Sequence, residues 1–393
     1  MPARRRVLIV QPSLQPPGGG QSVCAWMIQA LQDEHHVGLA TWMPVDVDAV
    51  NRWYGTSIRA SAITTHVTPA GIWRALDSGP GRLALLKAAL LLRFSRRLGA
   101  EYDVLISAEN EADLGRPAIQ YIHYPRLLRP RPSWDLRWYH QSNTVLAAYY
   151  ATCARIMGGS LDQAARNVTM ANSTWTAQRM RELCPESRVT VVHPPVPGDF
   201  PDTDWAEREN GFLCIGRFSQ EKNLGQVIEI LAAVRRVVPD IHLHLVGSRG
   251  TRADYRRLET AARPHAAWVR IDHDLSRADL VRLIATHRYG IHGMTEEHFG
   301  IAPAEMVRAG CVVFLPASGG QTDIVGQDER VLYRTPAEAV AKIVRVLTSP
   351  AEQETLRTYF AGRRDLFSVE RFMRTIRNAV ERFPDEPDRE PVR

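Results

Sequence analysis

The chain has 393 residues, enough for two domains with cores of their own. Hydrophobic residues at 45% and charged residues at 23% describe an ordinary globular protein, and no apolar run reaches the roughly 18–20 residues that would span a bilayer. A net charge of +6 suits a diphosphate substrate or an anionic membrane surface; the basic residues are dispersed and no zinc-finger or RNP-type pattern occurs, which argues against nucleic acid.

Met1-Pro-Ala-Arg-Arg-Arg6 runs into an apolar strand at 7–11 with no signal core or cleavage site, so a cytoplasmic chain is expected. Gly18-Gly-Gly-Gln21 follows and opens a helix at 22–31. Gly18, Gly19 and Gly20 permit close backbone approach to a ligand, with a plain flexible turn as the alternative. A strand at 37–42 comes next. The segment from Arg82 to Arg97 is apolar and basic, and Arg82, Arg93, Arg96 and Arg97 gather on one side of a helical wheel. It reads as a peripheral contact with an anionic membrane or as an ordinary helix with a solvated basic face.

Strands are predicted at 104–107, 119–123, 167–171 and 189–192. His123 ends the second of these, as a core histidine or a contact to sugar or acceptor. Asn172, Ser173 and Trp175 end the third and are candidates for the acceptor side. Proline density in His193-Pro-Pro-Val-Pro-Gly198 then stops regular structure, and 199–210 reads as a polar linker. The domain boundary is placed near residue 200.

The second half repeats the alternation, with strands predicted at 212–216, 241–246, 268–272, 289–293 and 312–315. Gly216-Arg-Phe-Ser-Gln-Glu-Lys-Asn223 lies between a strand and a helix carrying Leu224, Val227, Ile228, Leu231 and Val234 on one stripe. Arg217 offers a planar fork of donors and Lys222 a mobile ammonium, the groups that neutralise a departing phosphate. Ser276-Arg-Ala-Asp279 resembles a capping box. Glu297-His-Phe-Gly-Ile-Ala-Pro-Ala-Glu305 sets two carboxylates around a glycine turn that opens a helix. A helix start exposes amide groups at the positive end of the dipole and so seats an anion. Carboxylates beside that seat accept hydroxyls, and phosphate with hydroxyls suggests a sugar nucleotide.

The E-x7-E string, with the upstream G-R-x-x-x-x-K-N string, closely resembles the retaining GT-B glycosyltransferases of family 4. The resemblance implies an α/β fold of two Rossmann-like, doubly wound parallel-sheet domains facing across a cleft. Arg217 and Lys222 would hold the diphosphate, Glu305 the ribose and Glu297 the donor sugar. The amides of Phe299, Gly300 and Ile301 would reach sugar or phosphate beside Gly216, and the Gly18–Gly20 loop would face the cleft. Tyr121-Ile-His-Tyr-Pro125, Ala171-Asn-Ser-Thr-Trp-Thr176 and His193-Pro-Pro-Val196 narrow the likeness to the mannosyltransferases that extend dolichol-linked oligosaccharides with α-1,2-mannose. The implied donor is GDP-mannose, or a UDP-sugar, and the acceptor a glycan, a lipid-linked glycan or a small molecule. Gly319-Gly-Gln-Thr-Asp323 has Asp where the family often has Glu.

The expected layout is an acceptor-side domain over 1–198, a nucleotide-sugar domain over 199–365, a helix over 366–383 crossing back to the first domain, and a disordered tail from 384. No cofactor or metal is expected: the three D-x-D strings, at 46–48, 202–204 and 272–274, read as loop acids, and no cluster has zinc-ligand spacing. The five scattered cysteines read as buried thiols. The rivals are a GT-B epimerase or phosphorylase, and a binding protein without turnover.

Overall fold

A computed structural model describes residues 4–71, 76, 83–128, 143–158 and 161–384. The chain forms two compact units: residues 1–195 with 369–393, and residues 196–368.

The first unit holds seven parallel strands: β1 (Arg6–Val10), β2 (His36–Thr41), β3 (Ile63–Val67), β4 (Val104–Ser107), β5 (Ile119–Ile122), β6 (Val168–Ala171) and β7 (Val189–Val191). Their spatial order is β3-β2-β1-β4-β5-β6-β7. Every strand direction and the reversal at β1/β4 follow the doubly wound rule. Along β1, Val7 and Ile9 enter one core while Leu8 and Val10 enter another. Both faces of the sheet are therefore covered, which is why these strands read as unbroken apolar runs. The helix Val369–Glu381 packs on the helix Gly19–Leu31 and places Phe372, Ile376 and Val380 in the first of those cores.

The second unit holds six parallel strands: β8 (Glu209–Ile215), β9 (His242–Gly247), β10 (Val269–His273), β11 (His287–Ile291), β12 (Val312–Pro316) and β13 (Leu332–Tyr333), in the order β10-β9-β8-β11-β12-β13. The reversal here lies between β8 and β11.

Several expectations change. The helix predicted from residue 22 starts at Gly19, because the Ser22 amide bonds to the Gly18 carbonyl at 3.0 Å; the glycines form its cap and first turn rather than a loop. The linker predicted over 199–210 shortens, since β8 already begins at Glu209. The strands β3 and β13 escape prediction. β3 is an edge strand reading Ile-Thr-Thr-His-Val and lacks an apolar run; β13 is two residues long. Asp272 of the third D-x-D string lies on β10, and Asp46 of the first caps the helix Val47–Tyr54. All five cysteines are free and buried.

The predicted basic amphipathic segment forms the helix Ala84–Leu98. Leu85, Ala88, Ala89, Leu91 and Leu92 are buried in the first unit, so the apolar stripe faces inward. Arg96 pairs with Asp113 at 3.2 Å, which leaves Arg93 and Arg97 exposed. Arg82 and the tail from 385 lie outside the described residues. No helix among the described residues is long and apolar enough to cross a membrane.

Candidate functional site

The loops that follow β8 and β11 leave neighbouring strands at the reversal of the second sheet, the position where open α/β sheets bind ligands. After β8 the backbone passes Gly216, where a Cβ would sit 3.5 Å from Cε of Lys222. A short 3-10 turn, Gln220–Lys222, ends at Asn223 with φ 50°. Asparagine tolerates this left-handed conformation, and its Nδ2 donates to the Gly293 carbonyl at 3.0 Å. The loop after β8 is thereby tied to the loop after β11.

That tie aims Lys222. Its Nζ lies 2.5 Å from Oε2 of Glu297, and each side chain is 17% exposed. Nε2 of His292 lies 3.3 Å from the same oxygen. Nδ1 of His292 is buried without a hydrogen-bond partner among the described residues, and burial pushes the imidazole pKa down. Nε2 is thus the ring nitrogen placed to donate to the carboxylate. Burial opposes charge on Glu297, but Lys222, and then His292, hold its carboxyl well below the usual carboxylate range.

A second loop braces this one. The Gly320 amide donates to the Glu297 carbonyl at 2.7 Å, the Glu296 amide to Oγ of Ser318 at 3.1 Å, and Nε2 of Gln321 to the Met294 carbonyl at 2.8 Å. Gly319, with φ 77°, lies so close that a Cβ there would meet the Glu297 carbonyl oxygen at 2.4 Å. The Gly319–Asp323 segment thus shapes the site from behind.

Gly300, with φ 97° and ψ 70°, caps the helix Ile301–Arg308 without a side-chain cap. Its first amides stand at the positive end of the dipole, beside the Lys222–Glu297 pair in sequence and loop. The Phe299 ring is buried 5.8 Å from Phe367 and anchors the turn, so only its backbone is suited to a ligand. Glu305 lies further along this helix and is buried. Nη1 of Arg277 reaches its Oε1 at 2.5 Å, and Nη2 of Arg277 reaches the Pro197 carbonyl at 2.6 Å. Burial pushes the Glu305 pKa up, and Arg277 works against that rise.

Arg217 is not gathered into this group. Its guanidinium is 65% exposed and lies 3.7 Å from Glu221. It is a long, exposed arm beside Glu221 on the rim of the loop.

In the first unit, the Gly18–Gly20 helix start and His123 meet at the β1/β4 side of the sheet. A Cβ on Gly20 would lie 3.4 Å from Nε2 of His123, and that nitrogen is 3.0 Å from the Ala108 carbonyl. Oδ1 of Asn110 accepts from the amides of both His123 and Tyr124 at 2.9 Å. Asn172 and Ser173, expected on the acceptor side, are buried. Nδ2 of Asn172 donates to the His123 carbonyl at 3.1 Å, and Oγ of Ser173 caps the helix Thr174–Leu183 by accepting from the Thr176 amide. The Trp175 ring lies 5.6 Å from Tyr124.

Sequence reading misses Arg277, His292, Ser318 and Gln321. His292 was visible at the end of an apolar strand and Arg277 inside a capping segment. Neither pattern states a partner. Arg277→Ala is expected to leave Glu305 buried without its cation. Arg277 is about a third exposed, so the loss should fall near the lower end of the roughly 3–5 kcal/mol for a broken buried pair; urea denaturation measures it.

Residues 197–362 match the family model of the glycosyl transferases group 1. The second unit is therefore a glycosyltransferase group 1 domain, and the two sheets with their helices make the fold GT-B. The chain is similar to the GDP-Man:Man(3)GlcNAc(2)-PP-Dol alpha-1,2-mannosyltransferases of Candida glabrata, 29% identical over 170 residues with 39% of this chain and 34% of the relative covered, and of Homo sapiens, 26% identical over 257 residues with 60% and 52% covered. It spans about a third to a half of the length of these relatives. Among solved structures, sucrose-phosphate synthase from Thermosynechococcus elongatus matches at 16% identity and TM-score 0.70 over 96% of this chain and 98% of that one. HepE from Anabaena in complex with UDP matches at 15% and 0.67 over 96% and 100%. At such identities the likeness establishes the fold.

Proposed function

We propose that this chain is a retaining glycosyltransferase that moves a hexose, mannose from GDP-mannose, to a hydroxyl of a glycan, lipid-linked glycan or natural-product acceptor. The observation that supports it most is the buried Lys222–Glu297 pair beside the uncapped start of the helix Ile301–Arg308, within a group 1 domain. The likeness to GDP-Man-dependent mannosyltransferases favours the GDP-linked donor.

In this reading the pyrophosphate seats on the helix start, and the ammonium of Lys222 is shared between Glu297 and a phosphate oxygen. Arg217 swings from its exposed position to the same group. Both cations neutralise the charge that grows as the glycosidic bond breaks, so the diphosphate needs no metal. Glu297 is held as a carboxylate by Lys222 and His292 and orients sugar hydroxyls as an acceptor. Glu305 takes the ribose, sharing its oxygens with Arg277. The departing phosphate accepts the acceptor's proton in a front-face displacement. His123 and Trp175 are the first unit's candidates for holding the acceptor, and Arg93 and Arg97 draw the protein to an anionic cytoplasmic membrane surface.

A thermal-shift screen of GDP, UDP, ADP and TDP with their sugars tests this. Ligand at a hundred times its Kd stabilises the native state by about 2.7 kcal/mol, and GDP is expected to give the largest shift. GDP-mannose with an acceptor should then yield a product that keeps the α configuration by NMR. Absence of a shift with every nucleotide overturns the reading. An epimer formed from donor alone would instead support the epimerase rival.

A further inference from the structure

The amino ends of β8, β9 and β11 carry a second cluster, at the opposite strand ends from Lys222 and Glu297. His242 and His244 lie on β9 and His287 on β11, and their ligating atoms all fall within 4.8 Å of one another. The strand between them is β8, and Gly211 stands on it directly opposite His242 in register. A Cβ on Gly211 would lie 2.3 Å from Nε2 of His242 and 2.7 Å from Cδ2 of His287. The missing side chain is what lets imidazoles from two non-adjacent strands meet across the middle one. Glu209, two residues earlier on the same strand, stands beside two of the three rings.

The geometry is that of a cation site. Nε2 of His287 lies 3.3 Å from Nε2 of His242 and 3.1 Å from Nδ1 of His244. Oε2 of Glu209 lies 3.1 Å from Nε2 of His242 and 3.8 Å from Nε2 of His287. Zinc–nitrogen bonds of about 2.0–2.1 Å at tetrahedral angles put neighbouring ligand atoms about 3.3–3.4 Å apart. One of the rings, His287, carries the outer hydrogen-bond partner that ligating histidines use, and His244 has a carboxylate further off. Nδ1 of His287 lies 2.8 Å from the Leu283 carbonyl, so its N–H points away and Nε2 presents a lone pair inward. Nε2 of His244 lies 3.8 Å from Oδ2 of Asp272, leaving Nδ1 for the cluster. His287 is fully buried and His244 nearly so, while His242 and Glu209 open to solvent and give an entry path.

We propose that Nε2 of His242, Nδ1 of His244, Nε2 of His287 and a carboxylate oxygen of Glu209 bind one divalent transition cation of the zinc class. Three imidazoles and one carboxylate suit zinc and cobalt and do not suit magnesium or calcium. Four protein ligands close the coordination sphere, so the ion is structural. It staples three strands whose other ends position the Lys222 and Glu297 loops. The expectation of no metal from sequence spacing rested on local patterns, and these four ligands are spread over 79 positions, from 209 to 287, on three strands.

The test uses the full chain, stripped with a chelator and titrated with Co2+ and then Zn2+. One equivalent of Co2+ should bind with the visible ligand-field bands of a tetrahedral site, Zn2+ should abolish those bands, and Zn2+ should raise Tm. His242→Ala, at a partly exposed position, should weaken Co2+ binding at least tenfold while the thermal shift produced by GDP is unchanged. If His242→Ala does not fold, Glu209→Gln should weaken binding at the same site in a folded protein. A wild-type chain without cobalt bands and without a zinc-dependent Tm overturns the proposal, as does a variant that binds as tightly as the wild type. Both readouts are independent of transferase activity, so failure here and failure of the proposed function are separable.

Discussion

Lys222→Ala is expected to lower kcat for transfer by about 10²–10³-fold, the cost of removing one preorganised group that meets developing charge. The substitution does a second thing. It strips the cation from a carboxylate that is itself largely buried, so stability should also fall, by on the order of 3 kcal/mol. The pH dependence separates the two effects. In the wild type, the Glu297 carboxyl is held well below the usual range, so it binds its proton more weakly folded than unfolded. The stability it contributes is present above the ordinary carboxylate range and is lost as pH falls toward the depressed value. Without Lys222, burial is opposed by His292 alone, and the carboxyl should rise above its unfolded value. Stability from this group then falls as pH rises through it. The gap in Tm between the wild type and Lys222→Ala is therefore expected to widen as pH rises from about 4 to 6. In Lys222→Ala with Glu297→Gln, the buried charge is gone; that double variant should regain stability and remain inactive. Recovery of turnover in it, or unchanged turnover in Lys222→Ala, removes Lys222 from the mechanism.

Gly319→Ala should lower kcat nearly as far without touching a proposed ligand contact. Residue 319 sits at φ 77° and ψ −174°, a region essentially reserved for glycine, where an L side chain costs about 1–3 kcal/mol. The new methyl would also stand 2.4 Å from the Glu297 carbonyl oxygen and 2.7 Å from the Glu297 amide nitrogen. One of the two loops must move, and the Gly320–Glu297 hydrogen bond is lost with it. A displacement near 1 Å at a positioned group costs about 10²-fold in rate. Circular dichroism and steady-state kinetics check this, with Gly225→Ala as the control. A Cβ at Gly225 meets nothing within 4 Å, and the residue lies within the helix Leu224–Arg235. That change should leave kcat alone and raise stability by about 0.5–1 kcal/mol. Equal kinetic losses in both variants would mean the Gly319 loop has no special hold on Glu297.

Most of the strands were legible because the sheets are parallel and covered on both faces. Sequences such as Val7-Leu-Ile-Val10 and Val312-Val-Phe-Leu315 have no polar phase to hide them, and the fold class follows from their alternation with helices. The edge strand Ile63–Val67 breaks that rule because, among the described residues, no strand pairs with its outer side. Lys222 and Glu297 were legible as a pair of motifs. Their direct contact was not, since it depends on Asn223 reaching Gly293 and on Gly319 backing the second loop. Asn172 and Ser173 were visible at a strand end, but their bonds to the His123 carbonyl and the Thr176 amide were not, since a polar residue at such a place can serve a ligand or the backbone. Glu305 was found without Arg277, because 28 positions separate them and only the fold brings them to 2.5 Å.

The helix Val369–Glu381 belongs to the core of the first unit, although the whole second unit intervenes in the chain. During synthesis the N-terminal sheet therefore waits, its Phe372, Ile376 and Val380 partners still unmade, while the second unit emerges and can close on itself. Vectorial folding normally favours the N-terminal domain, but here the half translated first must be completed last. A premature stop just after residue 368 would injure the opposite end of the polypeptide from the one it removes.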